Sequence, residues 1–171
     1  MIVLTADQMA RVDRETIERG TPGIELMRNA GEAVFRLMNG YFEPLGERKV
    51  VVAAGKGNNG GDGFRAAELL VRAGVSCAVL LLGKRNDVRG DSLSCLRDAE
   101  RAGCPVVEAA DGSLKDHEDE ILSADIIVDA IFGIGFRGEV SGLFQEAMDL
   151  VNRSRAEVVA VDIPSGVNAS T

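Results

Sequence analysis

The stretch KVVVAAGKGNNGGDGFRAAELLVRAG, residues 49–74, decides how the rest of the chain is read. It opens on a continuous apolar run. A strand with one wet face would alternate, so this run predicts a strand covered on both sides. Residues 64–73 then repeat their apolar side chains at helical spacing. Between the two, GKGNNGGDG (55–63) holds five glycines and two asparagines in nine residues, a density that packing does not explain. Both residue types tolerate positive φ. The expectation is a loop that aims several N–H groups at one point, as a phosphate at a helix N-terminus requires.

The same alternation continues outward. CAVLLL (77–82), PVV (105–107), DIIVDA (125–130) and VVAVDI (158–163) are further short apolar runs, and helical periodicity fills 92–102, 114–122 and 143–152. Strand and helix in strict succession predict a mainly parallel sheet with right-handed crossovers. The fold class is therefore α/β: a Rossmann-like, doubly wound α/β/α sandwich. Two helices precede it. TADQ (5–8) has the form of a capping box, and Met9, Val12 and Ile17 follow as an apolar stripe that Gly20 ends. Thr21 and Pro22 restart the chain as cap and first-turn proline, and Ile24, Met27, Ala30, Val34 and Met38 form the second stripe. Gly31, inside that stripe, predicts a close helix contact. No linker or repeat interrupts 1–171, which reads as one domain; it stops just after a strand, so a C-terminally truncated domain is expected.

Composition narrows the function. The net charge of −8 argues against nucleic acid or an anionic membrane as partner, because phosphate backbones demand clustered Lys and Arg. No apolar run has the length of a membrane span, and the N-terminus turns polar too soon for a signal peptide. The three cysteines, Cys77, Cys95 and Cys104, form no CxxC and read as reduced thiols of a cytoplasmic protein. The one histidine, His117, lies in the charged segment KDHEDE, which leaves no zinc set.

In an open parallel sheet, ligands bind beyond the carboxyl ends of the strands. Three unusual loops fall there: GKGNNGGDG, FGIGFRGE (132–139) and PSGVN (164–168). Gly55, Gly57 and Gly60 fit a dinucleotide fingerprint, but LLLGKR offers Lys84 and Arg85 where the ribose-binding acid belongs, and no Gly-Lys-Ser/Thr makes a Walker loop. In FGIGFRG, Arg137 adds a cation suited to phosphate. Asp129 and Asp162 end apolar strands. Each is either a desolvated acid/base, a ligand of a hard cation beside Asn, carbonyl and Ser165 oxygens, or a cap of the following segment.

Taken in order, GKGNNGGDG, DAIFGIGFRGEVSG and VVAVDIPSGVNA, with TADQMARVD and GTPGIELMRNAGEAV before them, resemble the YjeF N-terminal domain family along essentially the whole chain. The resemblance implies an NAD(P)H-hydrate epimerase, an isomerase that interconverts the R and S epimers of hydrated NADH and NADPH (NADHX and NADPHX) in nicotinamide cofactor repair. It implies a bound K+ with Asn59, Asp129 and Ser165 as ligands. It assigns substrate binding to Asn58, Asn59, Gly60, Gly61 and Asp62, to Gly133, Ile134, Gly135, Phe136, Arg137, Gly138 and Glu139, and to Asp162, the acid/base beside the reacting ring. It also implies an NAD(P)HX dehydratase as functional partner, fused in some members, a domain that continues past Thr171, and a homodimer, for which the second helix is one candidate surface; the expected role of that helix's methionines is core packing. Where members often carry a tyrosine, Phe144 is the aromatic present. Two other readings are a non-catalytic nucleotide- or protein-binding module, disfavoured by the complete set of loop asparagines and aspartates, and an NAD(P)-dependent oxidoreductase, for which no catalytic His, Cys or Tyr–Lys pair is in place.

Overall fold

The computed structural model describes residues 4–110 and 113–168; the last residues of the VVAVDIPSGVNAST stretch, 169–171, lie outside the described residues. Among the described residues Lys49–Ala54 (β1), Ser76–Leu82 (β2), Val106–Ala109 (β3), Ile126–Ala130 (β4) and Glu157–Ala160 (β5) form one parallel sheet in the order β3-β2-β1-β4-β5. The helices are Ala6–Glu18 (α1), Gly23–Tyr41 (α2), Asn58–Arg72 (α3), Gly90–Arg101 (α4), Glu118–Leu122 (α5) and Leu143–Arg153 (α6).

The continuous apolar strands are covered on both faces, as expected. Val50, Val52 and Ala54 of β1 pack with Met27, Phe64, Leu70 and Leu96 under α2, α3 and α4. Val51 and Ala53 point the other way, toward Leu114, Ile121, Ala147 and Leu150 under α5 and α6. Each such aliphatic side chain contributes about 1.5–3 kcal/mol when fully buried. Gly31 lets α2 close on α3: a Cβ there would stand 2.6 Å from the Asp62 carbonyl oxygen and from the Arg65 Cβ. The strand order reverses between β1 and β4. The crevice above their carboxyl ends is the switch point, where this topology binds ligands.

Several sequence expectations are revised. α3 begins at Asn58, so NNGGDG is its first turn and a half rather than a loop. β5 ends at Ala160, two residues before Asp162. The third strand starts at Val106 and the 114–122 helix splits into a 3-10 turn, Leu114–His117, and α5. Pro22, not Thr21, is the N-cap of α2, whereas the Thr5–Gln8 capping box forms with bonds of 3.3 and 2.9 Å. Met27 and Met38, by contrast, are core residues, as expected for them. The α1 stripe is exposed: Met9, Val12 and Ile17 keep 38–46% of their surface, and Ala6 is the buried residue of that helix. No helix among the described residues is long and apolar enough to cross a membrane.

Candidate functional site

A cleft of about 900 Å³ opens above the switch point. Its floor is the β1–α3 junction with Asn58, Asn59 and Asp62; one wall is the segment 132–136 after β4 with Asp162 beyond β5, and the other is α1 and α2, through Met9, Asp13 and Met27.

The glycines of the floor are there for close approach. None of Gly55, Gly57, Gly60, Gly61 and Gly63 takes positive φ. A Cβ on Gly60 would run into the Gly55 carbonyl oxygen, and one on Gly63 into the Ala130 side chain. These contacts seat the first turn of α3 on the ends of β1 and β4. Packing, which the sequence reading set aside, thus accounts for most of them. The seat has a chemical result. Gly57 caps α3 without a side-chain bond, so the first-turn N–H groups lack the usual side-chain acceptor. Ser92 fixes that turn by donating to the Gly57 carbonyl at 2.8 Å.

Both polar atoms of the Asn59 amide are buried without a hydrogen-bond partner. Such a group costs roughly 1–3 kcal/mol when left unsatisfied. The Asn59 amide carbon and oxygen stand 3.5 Å from where a Gly133 Cβ would be, and Asp162 Oδ2 stands 2.6 Å from that same point, so Gly133 lets three segments converge. Asp162 Oδ2 accepts the Ile134 N–H at 2.7 Å.

Asp129 is buried, as a strand-end acid was expected to be, whereas Asp162 is exposed. Asp129 accepts from Ser165 N–H at 2.7 Å, from Ser165 Oγ–H at 2.5 Å and from Ile131 N–H at 3.2 Å. Ser165 Oγ in turn accepts the Phe132 N–H at 3.0 Å. One hydroxyl therefore ties the loop after β5 to the end of β4.

The carboxyl whose proton affinity departs furthest is Asp62. Burial first, then the charges of Asp162 and Asp13, push it up to about 7.

The sequence-derived set divides. Asn58, Asn59, Asp62, Gly133, Ile134, Gly135, Phe136 and Asp162 share the cleft, while Gly60 and Gly61 are buried beneath it. Arg137, Gly138 and Glu139 face a second hollow of about 830 Å³ on the far side of the same loop. Arg137 spends its guanidinium on the carbonyls of Ile134 and Phe136, at 2.9 and 3.1 Å, and lies 3.6 Å from Asp7. Lys84 and Arg85 line neither space; Arg85 pairs with Glu100. Phe144 lines the cleft and packs on Phe132 with ring centroids 4.9 Å apart. Sequence reasoning missed Met9, Asp13 and Lys56 as cleft residues. For the α1 pair, the amphipathic stripe was the available signal.

The chain matches the family described as YjeF-related protein N-terminus over residues 23–171. It is 38% identical over 169 residues to the NAD(P)H-hydrate epimerase of Limosilactobacillus fermentum, covering 98% of this chain and 76% of that protein. To the bifunctional NAD(P)H-hydrate repair enzyme Nnr of Moorella thermoacetica it is 37% identical over 174 residues, and it spans 33% of that protein's length. The crystal structure of the yeast protein ynu0 superposes with a TM-score of 0.82 at 26% identity, covering 97% of this chain and 72% of the yeast one.

Proposed function

This chain belongs to the YjeF-related N-terminal family, and from that premise we propose that it is an NAD(P)H-hydrate epimerase, interconverting the R and S epimers of NADHX and NADPHX. The observation that carries this reading is the convergence of an acid, Asp162, an unpartnered buried amide, Asn59, and an uncapped helix start in one cleft. A dinucleotide substrate is anionic, and with a net charge of −8 the chain must hold it by local groups rather than by its overall charge. The first-turn N–H groups of α3 hold its pyrophosphate, with the partial positive charge of the helix end behind them.

The residues fit a potassium ion. The donors are oxygens of mixed kind: Asn59 Oδ1, which has no partner, the Asp129 carboxylate, and Ser165 Oγ, which keeps one lone pair beyond the bond from Phe132. Bound there, K+ supplies a fixed positive charge against Asp129. Asp162 moves the proton at the hydroxylated ring carbon, and its bond from Ile134 N–H fixes one carboxylate oxygen and leaves the other for the substrate. Phe144 and Phe132 offer the ring an apolar face. Residues 1–171 belong to one domain of this type, and the protein works in the cytoplasm and delivers the epimer that a stereospecific dehydratase consumes.

The test is direct. The chain is incubated in potassium buffer with one purified NADHX epimer, and the other epimer is followed by chromatography. Interconversion well above the uncatalysed rate is expected, falling at least about 100-fold in Asp162→Ala. Interconversion at the uncatalysed rate by folded protein sinks the reading and leaves a nucleotide-binding module.

A further inference from the structure

Moving one proton at Asp162 does not complete an epimerisation. The oxygen leaves one face of the ring and arrives on the other, and a single carboxyl does not reach both faces of a flat intermediate. The cleft holds a second carboxyl. Asp62 stands in the second turn of α3, half-buried, and lines from its floor the cleft that Asp162 lines from one wall. Among the described residues no hydrogen bond or ion pair reaches its side chain, whereas Asp129 accepts three hydrogen bonds and Asp162 one. A partly buried, unpartnered carboxyl facing a cleft is poised to exchange a proton with whatever fills it.

We propose that Asp62 is a second catalytic residue of this site, the acid that protonates the departing ring hydroxyl while Asp162 serves the opposite face. The proposal rests on the epimerase reading. In one direction Asp62 gives its proton to the hydroxyl as the carbon–oxygen bond breaks. The lone pair of the adjacent ring nitrogen forms a carbon–nitrogen double bond, and water departs. Water then adds to the opposite face of the same carbon, the pair returns to nitrogen, and Asp162 takes the proton that this water loses. One carbon–oxygen bond is broken and one made, one proton is given and one taken, and no electron is transferred. Solvent returns the proton from Asp162 to Asp62. The other epimer runs through the same steps with the roles exchanged.

The surroundings favour a proton on Asp62. Asp13 of α1 and Asp162 are the acids that face it, and both raise it alongside burial. The cations nearby are engaged elsewhere: Lys56 with Asp87, Arg65 with Glu68, and Arg28 of α2 with Asp98. From α4, Cys95 is the titratable neighbour and Asp91 a further acid on the cleft. Asp62 shares no hydrogen bond with Asn59, Asp129 or Ser165.

The experiment compares wild type, Asp62→Asn and Asp62→Glu on purified NADHX epimers from pH 5.5 to 9, with thermal unfolding as a check on folding. Wild type should lose kcat/KM on the alkaline side with an apparent pKa of about 7, that of the free chain. Asp62→Asn should lose about 100-fold or more in kcat, keep KM within about threefold, and show no alkaline limb in its residual rate. Asp62→Glu should recover part of the loss and the limb. An Asp62→Asn variant with kcat near wild type, or one that is slow but keeps the limb, overturns the proposal and leaves the epimerase intact. A wild type at the uncatalysed rate overturns the epimerase reading itself.

Discussion

Replacing Asp62 with Asn should stabilise the folded chain, by an amount that grows with pH. An ionised Asp62 is disfavoured by burial and by the charges of Asp162 and Asp13, which raise its carboxyl from 3.8 to about 7. Between those values the unfolded chain has released the proton and the folded chain still binds it. Native stability therefore falls as pH rises from about 4 to about 7, then levels off. Roughly three units at about 1.36 kcal/mol each set a ceiling near 4 kcal/mol, and water in the open cleft screens part of it, which leaves about 2–4 kcal/mol. Asparagine has nearly the same shape and no charge, so the variant escapes this loss. Urea unfolding of both proteins at pH 4, 6 and 8 is the assay. The variant should match wild type at pH 4 and exceed it at pH 8. An advantage that is the same at every pH, or a variant less stable at pH 8, refutes the electrostatic account of Asp62.

Two further predictions concern the floor of the cleft. Gly60→Ala drives a Cβ into the Gly55 carbonyl, which cannot swing aside as a side-chain end would, so a loss of about 3 kcal/mol or more is expected in urea unfolding. Asn59→Ala removes an amide with no protein partner. Wild type should melt higher in potassium than in choline buffer, because an ion bound to the folded state alone stabilises it. The variant should melt at the same temperature in both, and an equal shift in the two proteins would remove Asn59 from the ion site.

Much of the fold was legible because it rests on local pattern. Runs such as VVVAA and IIVDA cover both sheet faces, and their succession with helices leaves few topologies. What failed depended on contacts distant in sequence. NNGGDG read as a loop because glycine lowers helix propensity, yet its glycines are tolerated in α3 by the close approach of Gly55 and Ala130. The stripe on α1 marked a helix but not what it faces: Met9 and Ile17 border the cleft, and an apolar cleft wall has the same periodicity as a buried face. Asp129 and Asp162 looked equivalent as strand-end acids. Only the early end of β5 separates a buried, clamped carboxylate from an exposed one. Arg137 read as a cation suited to phosphate, and nothing in the sequence signalled the two carbonyls that its own loop turns toward it.

The two sides of the cleft are bound by unequal constraints. Gly60, Gly63, Asp129 and Ser165 are locked into the sheet ends, where a single added atom or lost hydroxyl disturbs the core. α1 contributes Met9, Ala10, Asp13 and Ile17 to the same space while burying only Ala6. Substitutions along that helix alter what the cleft admits and leave the sheet untouched. Ligand preference in this architecture is therefore free to drift on one wall while the reacting groups stand still on the other, and a library confined to residues 9–17 is the economical way to redirect it.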